Sequence, residues 1–323
     1  MTVVSRIRTY IRIALDPILA AVLIIPTLIL RRMRETGLEH WPITLRMLLT
    51  IGIYPLRDHY YDPQIRPNGM TVEDLLEDRF LPGIDLREQS QRDLLATFRF
   101  QDELDDLARK ISKSSQGVYW FDNGFFGQID GSILYSMLRT LKPKKVVEVG
   151  SGFSTLIAQR ALKRNAAEGT PYVSHICIEP YEHAWLDNCG AEVIREQVER
   201  VDLALISSLR ANDMLFIDSS HVLRPGGDVI VEILQFLPNL APGVVVHIHD
   251  IFTPKDYPFD WLFEKHRLWN EQYMLEAFLS MNDRFEVMLG VQHMWHAARA
   301  DLTAACVSLD GQGPGSSFYI RRI

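Results

Sequence analysis

The stretch Lys144-Lys145-Val146-Val147-Glu148-Val149-Gly150-Ser151-Gly152-Phe153-Ser154-Thr155 decides the fold of this 323-residue chain. Val146, Val147 and Val149 form a short apolar run of the kind that builds a strand buried on both faces. Gly150 and Gly152 break it before an amphipathic segment begins at Ser154. The pattern is a strand, a glycine turn and a helix start. Glycine suits the turn because the bend is sharp and because a side chain would hold a ligand away from the backbone. Two familiar nucleotide loops fit poorly. A dinucleotide fingerprint, G-x-G-x-x-G, has Thr155 where its third glycine belongs, and the Gly-Lys-Ser/Thr of a phosphate-cradling loop is missing. An ordinary strand-to-helix turn with no ligand is the plainer alternative.

Working outward, strand and helix patterns alternate. His175 to Glu179 reads as the second strand, Ala191 to Ile194 as the third, Asp213 to Asp218 as the fourth and Val244 to Asp250 as the fifth. Leu156 to Leu162 and the segment opening at Arg224-Pro-Gly-Gly-Asp228 have helical spacing between them. Such alternation implies a parallel, doubly wound α/β sheet whose ligand site lies at the carboxyl ends of the strands. Glu179, at the end of the second strand, is placed to accept hydrogen bonds from two ribose hydroxyls, with Pro180 and Tyr181 beside it.

Glu148 within Glu-Val-Gly-Ser-Gly, followed by Glu179, resembles the cofactor motifs of the class I S-adenosylmethionine-dependent methyltransferases, methyltransferase-24-like and bacterial in character. The resemblance runs from Tyr119 to Arg322, about two-thirds of the chain. It implies a mainly parallel, seven-stranded Rossmann-like sheet completed by an antiparallel pair, Phe285 to Leu289 with Phe318 to Arg321. It also implies S-adenosylmethionine as cofactor, held by Glu148, Gly150, Ser151, Gly152, Glu179 and Asp218. The family's adenine contacts fall in Gln197 to Asp202. In this family the segment before the first strand covers cofactor and acceptor, which makes Asn123 and Asp130 candidates beside their plainer role as loop or helix caps.

Asp218 and Asp250 end two successive strands, so their carboxylates should converge on one rim. Hard oxygen ligands there could hold Mg²⁺ or another divalent cation, which lowers the pKa of a bound hydroxyl. The spacing Asp218-Ser-Ser-His221 resembles the cation-dependent O-methyltransferases, with His221 where that group has a lysine; the asparagine expected after Asp250 is replaced by Ile251. His221, assisted by Asp218 and Asp250, is then the expected general base, near its ordinary pKa of about 6.5. Asp218, Asp250 and His249 are the expected metal ligands. His247 and His249 alternate and should share a face, with Asp250 turned away unless the strand has already ended. Phe252 to Trp261 should shape the acceptor pocket.

The first hundred residues lie outside the resemblance. Residues 1–68 read as an apolar and basic membrane-associating helix plus connector, 69–117 as a helical cap with one helix over Ser90 to Ile111, and 118–323 as the methyltransferase domain. Ile13 to Leu30 has Asp16 and Thr27 as its polar side chains, holds Pro17 and Pro26, and is flanked by Arg6, Arg8 and Arg12 on one side and Arg31, Arg32 and Arg34 on the other. Its length is near the lower limit for a span, and basic residues at both ends give no orientation. Residues 13–34 are expected at the cytoplasmic face of a membrane, as a peripheral helix or a single anchor. From Glu35 to Pro67 aromatics, prolines and charges mix without a period.

Composition bounds the rest. An apolar share of 47% supports a full core, while a net charge of −7 argues against a nucleic-acid partner, which needs a basic face. Three cysteines, Cys177, Cys189 and Cys306, make an odd set with no C-x-x-C pair, so no disulfide framework is expected. The expected activity is O-methylation of a hydroxyl on a small molecule or an envelope glycan or lipid-linked sugar. A nucleotide-dependent oxidoreductase on a similar sheet and a non-catalytic membrane-tethered binding module are the alternatives.

Overall fold

The computed structural model describes residues 3–56, 70–110, 117–181, 184–309, 311 and 313–323. Residues 57–67 of the stretch from Glu35 to Pro67, and Ile111, lie outside the described residues. The described chain forms two units, residues 3–56 with 260–268, and residues 70–259 with 269–323.

In the N-terminal unit, helix α1 (Val3–Thr36) contains Pro17 and Pro26. Gly37, at φ 95°, ends it, and α2 (Pro42–Ile51) follows, opened by a proline in its first turn and closed by Gly52 in the left-handed conformation. This second helix corrects the aperiodic connector expected from the sequence. Apolar residues surround it on most sides, so no single stripe announces it.

The larger unit opens with α3 (Val72–Leu76), α4 (Glu88–Thr97) and α5 (Gln101–Lys110). The single helix expected over 90–111 is therefore two. Phe98 leaves the helical conformation at ψ 114° and buries its ring with Leu95 and Leu104, which a continuous helix would not allow together. Helix α6 (Gln128–Leu141) leads into strand β1 (Lys145–Val149), α7 (Phe153–Ala167), β2 (Ser174–Ile178), β3 (Glu192–Ile194), α8 (Leu203–Ser207) and β4 (Met214–Ile217). Helix α9 (Asp228–Val231) continues through a π-helical turn at Glu232–Phe236 into α10 (Leu237–Asn239), then β5 (Val245–Ile248), α11 (Glu271–Leu279) and β6 (Phe285–Gly290). Two short helices that the sequence pattern did not reveal, α12 (Val291–Ala297) and α13 (Arg299–Ala304), precede β7 (Phe318–Arg322).

The seven strands lie in the order β3-β2-β1-β4-β5-β7-β6, parallel except for β7, which runs antiparallel to both β5 and β6. The fold is thus the doubly wound, Rossmann-like methyltransferase sheet with an N-terminal helical extension. Side chains alternate between its faces. Val146, Phe216 and Tyr319 pack on α6 and α7 through Ile133, Met137 and Ile157. Val147, Leu215 and Val246 pack on the other side against Ile233, Phe236 and Leu275. Each fully buried aliphatic side chain contributes roughly 1.5–3 kcal/mol by leaving water.

The chain reverses its winding between β1 and β4, where ligands of open α/β sheets bind. Val149 pairs with Ile217, so the two strands end level. Gly150 follows at φ 75°, and a Cβ there would lie 1.9 Å from the Asp218 carbonyl oxygen. Only glycine lets the turn pass so close to β4.

Candidate functional site

A cavity of about 600 Å³ opens at this switch point, lined among others by Gly150, Ser151, Gly152, Glu179, Asp218 and Asp228. Gly152 is extended, and a Cβ on it would meet nothing within 4 Å, so its missing side chain leaves room at the start of α7. Its N–H donates to Thr155 Oγ1 at 3.2 Å. The residue that spoils the dinucleotide fingerprint therefore caps the helix instead. Glu179 directly follows β2, and its carboxylate accepts from the Ser151 N–H at 3.2 Å and the Tyr181 N–H at 2.9 Å. These bonds fix the carboxylate beside the glycine turn, although 28 residues separate Glu179 from Ser151.

Glu148 sits elsewhere, which corrects its expected place at the cofactor. It shares the sheet face of Val146, turned toward α7, and is absent from the cavity lining. Its carboxylate lies 3.1 Å from His175 Nε2 and accepts from the Cys177 thiol at 3.3 Å. Gln159 closes the group at 2.7 Å from His175 Nδ1. The strand pleat alone dictates this: Glu148 and Cys177 pair across β1 and β2 and therefore face the same side. Burial, with Glu148 next to it, pushes the Cys177 thiol far up, so it stays protonated. Glu148, His175 and Cys177 also form one of two clusters with metal-ligating donor atoms close together among the described residues.

The other cluster is Asp218, His221 and Asp250, whose donor atoms all lie within 4.8 Å of one another. Asp218 and Asp250 follow β4 and β5, as their strand-end positions required. His221 stands at φ 60° and Asp250 at φ 58°, left-handed conformations that cost roughly 1–3 kcal/mol for non-glycine residues and cluster at functional sites. Because β5 ends at Ile248, Asp250 is free to turn back, and its carboxylate lies 3.8 Å from His221 Nε2 and 3.6 Å from His249 Nδ1. His247 does not share this rim. It is buried in the sheet, stacked on Tyr319 at 4.1 Å, and burial pushes its pKa well down.

His221 is gripped from both sides. Nε2 lies 3.3 Å from Asp218 and Nδ1 2.8 Å from Glu271, the first residue of α11, while Trp269 packs on the ring at 4.1 Å. Burial alone would push its pKa down, but the hydrogen bonds to Asp218 and Glu271 outweigh burial and push it up to about 10. The sequence expects a base near its ordinary value, whereas these two carboxylates favour the protonated ring. Asp218 moves the opposite way. Burial would raise it, yet the charges of His249 and His221 hold it well below the usual carboxylate range. With its side chain 30% exposed, Asp218 is the member of the cluster that lines the cavity. His249 is raised well above its ordinary value: burial opposes, but Asp250 and Asp218 prevail.

Several site residues escaped the sequence. Glu271 opens α11, and nothing local in the sequence links it to His221, 50 positions away. Asp228 accepts from the Ser220 N–H and hydroxyl at 2.9 and 2.7 Å and shapes the loop after β4. Asn123 takes its plainer role, accepting from the N–H groups of Phe125 and Phe126. Asp130 accepts from the N–H groups of Ser316 and Ser317, pinning the entry to β7. Gln197 lines the cavity, as do Val198 and Glu199.

The fold is the Rossmann-like, seven-stranded sheet that the resemblance to class I methyltransferases implied. Residues 147–251 match the family model described as a methyltransferase domain. An uncharacterised protein of Archaeoglobus fulgidus is 27% identical over 164 residues, covering 48% of this chain and 73% of that protein. Among solved structures, the O-methyltransferase TomG from Streptomyces achromogenes, in complex with SAM, is 12% identical with a TM-score of 0.36, covering 69% of this chain and 89% of its own. The O-methyltransferase from Bacillus cereus, in complex with SAH, is 14% identical with a TM-score of 0.36, covering 73% and 91%.

Proposed function

We propose that the protein is an S-adenosylmethionine-dependent methyltransferase that methylates an acceptor hydroxyl. The observation that carries this reading is the convergence of the Gly150–Gly152 turn, Glu179 and Asp218 on one cavity at the switch point of a methyltransferase-type sheet. The residues fit such a cofactor: open space at Gly152 admits the methionine portion, and the carboxylate of Glu179 is positioned for ribose hydroxyls. When bound, S-adenosylmethionine supplies an electrophilic methyl group.

The chain's own contribution is alignment and charge. Asp218, ionised and open to the cavity, would accept the hydrogen bond of the acceptor hydroxyl. A weak base suffices because that hydroxyl becomes strongly acidic as the new bond to carbon forms. His221 and Asp250, the other two catalytic candidates, would hold Asp218 in place, with His221 donating rather than accepting. The base role thus passes from His221 to Asp218. Asp218 and Asp250, with His221 once its proton is displaced, also make a donor set suited to a divalent cation such as Mg²⁺, which would lower the pKa of a coordinated hydroxyl.

Helix α1 supports a membrane location, and basic residues at both of its ends suit the anionic cytoplasmic leaflet. Tyr10–Thr36 has a mean hydropathy of 2.4 over its most apolar window, none of it buried, and its 27 residues would extend about 40 Å. The division into an N-terminal membrane-associating part, a helical cap and a catalytic domain follows from the same reading. An acceptor on a small molecule or on a lipid-linked or envelope glycan suits this location. Calorimetry with S-adenosylmethionine and with a nicotinamide dinucleotide, each with Mg²⁺ or chelator, tests the assignment. Binding of the first and not the second is expected; the reverse would make the protein an oxidoreductase.

A further inference from the structure

We infer that α2 is a second lipid contact, a helix lying in the anionic headgroup layer beside the end of α1. The inference rests on the membrane reading of α1 and adds a distinct surface to it. Leu48 of α2 is buried, whereas Ile43, Met47 and Ile51 are 86%, 50% and 63% exposed. Their four-residue spacing puts them on one stripe. Leu49 and Ile53 extend the exposed apolar surface. In water this stripe forfeits the burial that its composition favours.

The flanking residues name the occupant. Trp41 and Tyr54 bracket α2, and both are tied by their polar tips to the last turns of α1. The Trp41 indole N–H donates to Thr36 Oγ1 at 3.2 Å, and the Tyr54 hydroxyl accepts from Arg34 at 3.4 Å. The Arg34 guanidinium also lies 5.5 Å from the Tyr54 ring centroid. That level is where the apolar run of α1 gives way to Arg31, Arg32 and Arg34, and paired amphipathic aromatics at such a boundary mark a membrane–water interface. From 31 to 54 the arginines at 31, 32, 34 and 46 face two acids, Glu35 and Glu39, which leaves a positive balance toward anionic headgroups. Glu35 is bonded to Arg31 at 3.0 Å and lies 3.6 Å from Arg32. The segment 260–268, which belongs to the same unit, repeats the chemistry: Arg267 lies 4.1 Å and Lys265 5.9 Å from the Trp261 ring.

The test places a polarity-sensitive fluorophore on Met47→Cys in the full-length chain, with Cys189→Ser to remove the half-buried native thiol. The protein is reconstituted in phosphatidylcholine bilayers with and without phosphatidylglycerol. Lipids spin-labelled near the headgroup should quench the probe, more strongly with phosphatidylglycerol. Absence of quenching at Met47→Cys in protein that still floats with vesicles would overturn the role of α2 and leave the anchor reading intact. Failure to float at all would sink both. Cross-linking of Met47→Cys between copies, without lipid quenching, would assign the stripe to a second chain and also overturn the inference.

Discussion

Glu271 Oε2 lies 2.8 Å from His221 Nδ1, and both residues are buried. The acid comes from the first turn of α11 and the histidine from the loop after β4, so the pair ties the far side of the site to the sheet. Its backbone is tied too: the N–H groups of Asn270 and Glu271 both donate to the His221 carbonyl, at 3.0 and 3.2 Å. This double attachment explains how His221 holds a left-handed conformation next to a cavity.

The pair gives a pH signature. A histidine pKa raised in the folded state stabilises the fold fully below the unfolded value of about 6.5, and that stabilisation is lost as pH rises through about 10. Urea unfolding of the chelator-treated protein should therefore show stability falling over that window. His221→Gln should flatten the slope, and Glu271→Gln should lower the His221 pKa by roughly one to two units, read by NMR of the ring carbons.

Glu148 should behave as a core residue. Glu148→Ala leaves His175 and Cys177 without their shared acceptor, and leaving buried donors unsatisfied in this way costs about 1–3 kcal/mol. Thermal unfolding should register that loss. In protein kept folded at low temperature, affinity for S-adenosylmethionine should change far less than it does for Glu179→Ala.

The two glycines should separate cleanly. Gly150→Ala forces a Cβ toward the Asp218 carbonyl at positive φ and should destabilise the fold by roughly 1–3 kcal/mol. Gly152→Ala meets open space, so its melting temperature should stay near wild type while cofactor binding weakens, as calorimetry would show.

Much of this site was legible because strand ends are legible. The run Val146 to Val149 and the acids Glu179, Asp218 and Asp250 sit where apolar strands stop, and a doubly wound sheet collects those ends on one rim. What escaped depended on facing and on distant partners. The sequence shows Glu148 in a glycine motif but not that the pleat turns it toward Cys177. It shows His221 three positions after Asp218 but not that Glu271 meets its other nitrogen and raises its pKa. Likewise α2 is apolar on most sides, so periodicity could not announce it, and Phe98 keeps helical spacing while ending the helix.

The carboxylate pair makes a cation testable. If Asp218 and Asp250 share a divalent ion, Mg²⁺ or Mn²⁺ should raise the melting temperature, and Asp250→Asn should abolish the shift. An unchanged melting temperature at millimolar cation would remove metal from the account.

The most direct measurement is the affinity of folded wild-type protein and of Glu179→Ala for S-adenosylmethionine, by calorimetry in the same buffer. The wild type should bind, and Glu179→Ala, losing charged hydrogen bonds worth about 1.5–3 kcal/mol, should bind roughly 10- to 150-fold more weakly. Equal affinity of the two proteins, or no binding by the folded wild type, would contradict the assignment of this cavity to an activated methyl donor.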